Sequence, residues 1–238
     1  MILAANLKTN HTRASAASYL DEVSDFIAKK EIADQIVVFP PATALCPSRE
    51  KITIGAQNAW SVENGSFTGE IGSDQLDEFD VKTILIGHSE RRHILGEGLD
   101  IIKRKFDFFA SLEYEIFFCI GEPIEIKEAG FEAVMTYVER QLDGIDLSYP
   151  SLVLAYEPVW AIGSGKAATS DDILSVHSAI KHICDKPLLY GGSVKKENAG
   201  NILSLEGVDG ALIGTASWQS DRFCEIIDIA KKIEKPKE

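Results

Sequence analysis

Glu157 is placed where a carboxylate can act as a base. It ends an apolar run and is followed directly by proline in the stretch L-V-L-A-Y-E-P-V-W-A-I-G-S-G-K-A-A, residues 152–168. Side chains alternate across a strand, so Glu157 shares a face with Val153 and Ala155, and that face points inward. A carboxylate on an inward face needs either an ion-pair partner or a chemical task. The residues after it mix one bulky anchor, Trp160, with small ones: Ala161, Gly163, Ser164, Gly165, Ala167 and Ala168. This is the composition of a hinged flap attached to a base.

Two further groups have matching positions. His88 follows the run T-I-L-I-G and precedes Ser89-Glu90-Arg91-Arg92, which reads as a helix start. Parity with Ile84 and Ile86 predicts an inward imidazole. The positive end of the helix dipole would keep that ring neutral. A satisfied structural histidine fits the segment equally well, and Glu90 with Arg91 could form no more than an exposed ion pair. Near the start, A-A-N-L-K puts Asn6 and Lys8 on the face of Ile2 and Ala4, where a lysine needs an anionic partner unless it sits at the rim. Late in the chain, Y-G-G-S-V (190–194) and L-I-G-T-A-S (212–217) combine glycines with turn starts, where backbone N–H groups can cradle an anion. The flap's G-S-G-K is not a nucleotide-binding loop, because Trp160 stands where the first glycine belongs and Ala167 follows Lys166.

Positioning these groups takes a repetitive scaffold. Apolar runs recur at 2–5, 35–39, 52–56, 83–87, 116–120, 152–156, 187–191 and 210–214. Helical periodicity separates most of them, as in Tyr19, Val23, Phe26 and Ile27, or Ile173, Val176, Ile180 and Ile183. Ser170 is the N-cap candidate for the second of these helices. Eight strand–helix units in this length predict one (β/α)8 barrel spanning residues 1–238, with the chemistry at the C-terminal ends of the strands. A doubly wound sheet is disfavoured, since no G-x-G-x-x-G follows the first strand.

Composition excludes several classes. Net charge is −13, and Lys/Arg residues form no block before the short tail K-K-I-E-K-P-K-E, which argues against a nucleic-acid partner. No apolar run approaches the roughly 18 residues of a membrane span, and the start lacks the pattern of a secretory signal. The four cysteines are widely spaced, which suits a reducing cytoplasm rather than a disulfide framework or a zinc site. A phosphate ligand would meet a repulsive global field, so its site must supply positive potential locally.

At this point the motifs carry a resemblance. N-L-K at 6–8, G-A-Q-N at 55–58, F-T-G-E-I at 67–71 and G-H-S-E-R-R at 87–92 resemble those of the triosephosphate isomerase family. So do C-I-G-E at 119–122, Y-E-P-V-W-A-I-G-S-G-K-A at 156–167, Y-G-G-S-V and L-I-G-T-A-S, in the same order along the whole chain. The resemblance implies interconversion of dihydroxyacetone phosphate and D-glyceraldehyde 3-phosphate, in glycolysis and gluconeogenesis, without metal or organic cofactor. It implies that Glu157 shuttles the proton between carbons, that His88 polarises the carbonyl, and that Lys8 and Asn6 charge and orient the substrate region. Gly163, Ser193, Gly214 and Thr215 would grip the phosphate, with Glu90 and Cys119 in supporting positions. It also implies a homodimer, with loop 61–72 as the arm entering the partner and Thr68 near its tip; alone, that segment reads as a solvent loop.

This sequence departs from the family pattern at Leu7, where Trp is common, at Thr9, where Met is frequent, and at Thr215, where Gly is usual. Leu7 and Thr9 are expected near the subunit contact, and Thr215 is expected to keep a negative φ because its side chain is β-branched. The rival readings fit less well. A Schiff-base aldolase needs a lysine where Glu157 stands, and a metal-dependent epimerase needs clustered ligands of which only His88 is present. A non-catalytic barrel would have no use for the complete polar set.

Overall fold

The computed structural model describes residues 1–162 and 168–233. Its eight strands are β1 (Ile2–Asn6), β2 (Gln35–Phe39), β3 (Ile52–Ala56), β4 (Thr83–Ile86), β5 (Glu115–Ile120), β6 (Leu152–Tyr156), β7 (Leu188–Tyr190) and β8 (Gly210–Ile213). All neighbours are parallel, and β8 pairs with β1 from Ile2↔Gly210 to Ala5↔Ile213, closing the barrel. The expected (β/α)8 architecture is therefore the observed one. Strand limits differ from the sequence reading by a residue at several ends: β1 and β5 take in the polar Asn6 and Glu115, while Gly87, Pro187, Gly191 and Gly214 fall outside β4, β7 and β8.

The helices are α1 (Arg13–Lys30), α2 (Ser73–Asp77), α3 (Ser89–His93), α4 (Leu99–Ser111), α5 (Ile124–Glu128), α6 (Phe131–Leu142), α7 (Ser170–Ile183), α8 (Lys196–Leu203) and α9 (Ser220–Ala230). The β2–β3 connection holds only a 3₁₀ turn at Ala42–Ala44, and β3–β4 holds only the short α2. Among the described residues, no helix is long and apolar enough to cross a membrane. The N-cap of α7 is Thr169, not Ser170. Its hydroxyl accepts from Asp172 N–H, and the Asp172 carboxylate accepts from Thr169 N–H, a reciprocal pair that Ser170 one position later cannot make.

Strand alternation sorts the apolar residues into two cores. Ala4, Val37, Phe39, Leu85, Phe117, Cys119, Val153, Ala155, Leu189 and Leu212 fill the barrel interior. Residues of opposite parity, such as Leu3, Ile84, Ile86, Ile116 and Leu154, pack outward against the helices. Followed to the C-terminal ends of six strands, the inward series reaches Asn6, Gly87, Gly121, Glu157, Gly191 and Gly214. The barrel thus places mostly glycine or polar residues at its C-terminal mouth, where an apolar side chain would close the opening.

Candidate active site

Glu157 is delivered as the pleat predicts, on the parity of Val153 and Ala155, and is almost completely buried. Its backbone N–H still bonds Ile120 O at 2.7 Å, extending the β5–β6 ladder by one rung. Gly191 makes room beside it: a Cβ there would lie 2.7 Å from Glu157 Cγ. Glu157 Oε2 accepts from Ser89 N–H at 2.8 Å, and Oε1 stands 3.1 Å from His88 Nε2.

His88 reaches the same place by another route. Ile84 and Ile86 face the helices, not the interior, so simple parity would have pointed His88 outward. The expectation from alternation was right in result and wrong in reason. Gly87, at φ +74°, breaks the alternation and turns His88 into the mouth. His88 is then the N-cap of α3, with Nδ1 accepting from Glu90 N–H at 3.2 Å. An acceptor nitrogen carries no proton, so this contact leaves Nε2, facing Glu157, as the nitrogen that bears a ring proton.

Lys8 lies beyond the end of β1 in a left-handed conformation, φ +49°. Its N–H bonds Asn6 Oδ1 at 3.0 Å, and its Nζ meets Glu90 Oε1 at 2.6 Å. Glu90 therefore pairs with Lys8, while Arg91 pairs with Glu97 at 2.6 Å; the exposed Glu90–Arg91 pair considered from sequence does not form. Gln57 fixes the turn from below, donating to Lys8 O at 2.9 Å and Phe39 O at 2.8 Å.

The electrostatics follow from this arrangement. Burial pushes the Glu157 carboxyl upward, but the His88 ring, the Ser89 N–H and the Lys8 ammonium outweigh it and hold the group below its ordinary value. Cys119 lies on the barrel floor, completely buried. Burial first, then the Glu157 charge, raises its thiol well above the ordinary range, so it is a neutral packing group there.

These groups open on a cavity of about 800 Å³ that also reaches Ser193, Gly214 and Thr215. Thr215 starts a 3₁₀ turn, Thr215–Ser217, and is not among the positive-φ residues, as expected for a β-branched side chain. Gly214 lies against Lys8, with the lysine Cε 3.4 Å from where a Cβ would be. Gly163 lies outside the described residues. Leu7 is completely buried in the chain's own outer core, while Thr9 is exposed, so of these two departures only Thr9 faces solvent.

Sequence reasoning assigned no role to several supports. Ser89 acts through its N–H, and backbone donors leave no residue-type signal. Gln57 stood within a quoted motif without a task. Lys105, completely buried, bonds Asn58 Oδ1 at 2.6 Å and the Glu97 carboxylate, and lies 5.4 Å from the Trp60 ring centre. Its position on the apolar face of α4, between Ile102, Phe106 and Phe109, was a readable sign.

The family model for triosephosphate isomerase matches residues 1–230. The chain belongs to the triosephosphate isomerase family. Similar proteins bearing that name come from a Sulfurovum species, 55% identical over 95% of this chain and 99% of the relative, and from a Nitratiruptor species, 50% identical over 98% and 100%. A third, from Sulfurimonas denitrificans, is 48% identical over 99% of this chain and 98% of the relative. Family membership covers the barrel from β1 to the last helix, so every strand end that forms the mouth lies within the match.

Proposed function

We propose that this protein interconverts dihydroxyacetone phosphate and D-glyceraldehyde 3-phosphate, an aldose–ketose isomerisation through an enediolate, using Glu157 as the base. The observation that carries the reading is the meeting of Glu157 and His88 Nε2 at 3.1 Å in a buried mouth, on a chain of this family.

The contacts suggest a sequence of events. A substrate carbonyl can take the Nε2–H of His88 in place of Glu157. That exchange removes one of the bonds that hold the carboxyl low, and burial then raises its basicity. Glu157 abstracts the proton beside the carbonyl and returns it to the neighbouring carbon. His88 hydrogen-bonds the oxygen on which charge develops and carries protons between the two oxygens, while Lys8 supplies positive charge and Asn6 orients the Lys8 turn. Glu90, ion-paired with Lys8, sets the position of that ammonium.

The phosphate is assigned to Ser193 and to the backbone N–H groups at Gly214 and Thr215, where a turn start offers donors in a chain of net charge −13. Gly163 in the flap completes the grip in this reading. Exclusion of water there would protect the enediolate from losing phosphate. Cys119 supports the Glu157 side of the floor.

We further read residues 1–238 as one domain that works in the cytoplasm, in glycolysis and gluconeogenesis, as a homodimer. The four free thiols suit a reducing compartment. Residues 63–70 of the arm are exposed and include Thr68 and Phe67, the latter 43% exposed; an exposed aromatic on a protruding loop suits insertion into a second copy. A coupled assay for dihydroxyacetone phosphate isomerisation, run in both directions with and without a chelator, tests the activity. Turnover unaffected by the chelator is expected, and absence of turnover would overturn the reading. Sedimentation at micromolar concentration tests the dimer, and a fully active monomer would contradict it.

A further inference from the structure

Arg92 is a half-buried cation for which the mechanism above has no use. It lies on α3, four residues after His88, and its guanidinium turns back beneath the end of β4 instead of entering the mouth. Nε donates to Gly87 O at 2.6 Å, and an Nη donates to Cys119 O at 2.8 Å. The guanidinium carbon lies 5.7 Å from the Phe118 ring centre, packed against β5. Burial lowers the guanidinium pKa, and the Glu157 carboxylate opposes that shift. Holding a cation there has a solvation cost, which its two carbonyl partners and the Phe118 face offset.

The two acceptors are informative. Gly87 O belongs to the peptide that leads into His88, so the bond fixes the plane on which the histidine is mounted. Gly87 is also the residue whose left-handed φ turns His88 inward. A Cβ on Gly87 would lie 2.5 Å from the Arg92 guanidinium, so that group fills the space a side chain would take. Cys119 O is on β5, the strand that pairs with β6 through Cys119↔Ala155 and Ile120↔Tyr156, just below Glu157. One planar group therefore spans the mount of His88 and the strand beside Glu157. Backbone bonds from Arg91 and Arg92 N–H to His88 O, at 2.9 and 3.2 Å, close the short helix over the same turn.

We infer that Arg92 is a positioning residue for the reaction, clamping the Gly87–His88 peptide to β5 so that His88 Nε2 is aimed at the substrate carbonyl. The inference rests on the proposed isomerase reading for its kinetic consequence. Its geometric consequence, the orientation and protonation pattern of the His88 ring, is independent of substrate. Lysine can keep the charge but cannot reach both carbonyls with a planar fork.

The test compares Arg92→Lys and Arg92→Ala with the parent in three measurements: kcat and KM per folded molecule, the ring ¹⁵N signals of His88 without substrate, and the effect of added guanidinium ion on Arg92→Ala. Misplacement by about 1 Å can cost on the order of 10²-fold in rate, so kcat should fall by about 10- to 100-fold with KM changed less than about threefold. The His88 ¹⁵N signals should move away from the single Nε2–H pattern, and guanidinium should restore part of the Arg92→Ala rate. Should Arg92→Ala not fold, Arg92→Lys decides on the first two readouts. A kcat within threefold of the parent overturns the inference, and so does a loss of kcat with His88 signals unmoved. If the parent shows no isomerisation, the functional reading fails, and the His88 signals alone still judge the clamp.

Discussion

The ends of β4 and β6 solve one problem in two ways. Each must present a polar side chain to the barrel mouth, and the two meet 3.1 Å apart. On β6 the ordinary pleat continues through Val153 and Ala155 to Glu157, so alternation alone supplies the direction. On β4 the pleat would send His88 toward the helices; one left-handed glycine redirects it, and α3 captures it as a cap. The first route rests on strand pairing, with Gly191 leaving room for the side chain. The second depends on a single residue with φ +74° and on what holds that residue in place.

Substitutions can separate the two routes. The largest effect is expected at the carboxylate itself: Glu157→Gln should lower kcat by about 10²–10⁴-fold in both directions, with the fold retained by circular dichroism. A loss below tenfold would remove Glu157 from the role of base. Gly87→Ala comes next, because it combines an unfavourable φ with a contact at 2.5 Å to Arg92. A fall of roughly 10²-fold in kcat is expected from misaiming His88, whereas Ala155→Gly, on the β6 route, should leave kcat within about tenfold. Equal losses at the two positions would erase the distinction.

The support under β4 gives a stability prediction. Lys105→Met leaves Glu97 buried without one of its two cations, and truncating one partner of a buried pair costs about 3–5 kcal/mol. Urea unfolding of this variant should show a loss of unfolding free energy of that size, and a change under about 1 kcal/mol would contradict the pairing. A smaller effect concerns pH. The Glu157 carboxyl is held below its ordinary value of 4.5, so its contribution to stability is present above that value and is lost as pH falls through the depressed native one. Melting temperature should therefore decline less steeply on acidification in Glu157→Gln than in the parent. The smallest effect is at Thr215: it already has a backbone that any residue can adopt, and Thr215→Gly should change KM less than about threefold.

Much of the barrel was legible because its signals are local and repeated. Eight apolar runs set the strands, helical periodicity set most crossovers, and the position of Glu157 followed from parity. The remainder depended on backbone geometry that residue types do not encode plainly. Gly87 could have been an ordinary turn glycine, and only its φ explains how His88 faces inward. The Lys8 turn, with a left-handed lysine held by Gln57, carries no pattern in the residues before it. Ser89 contributes an N–H that any other residue except proline could supply. Ion-pair partners were equally illegible: Glu90 stands next to Arg91 in sequence and bonds Lys8 from the far side of the mouth.

The central claim is that Glu157 and His88 act as one unit that removes and returns a proton beside a carbonyl. Incubating dihydroxyacetone phosphate with the protein in deuterated water, with chelator present, and following the reacting carbons by NMR tests that claim directly. Isomerisation with deuterium entering at the exchanged carbon, abolished in Glu157→Gln, is the predicted result. Isomerisation that survives Glu157→Gln at an undiminished rate would contradict it.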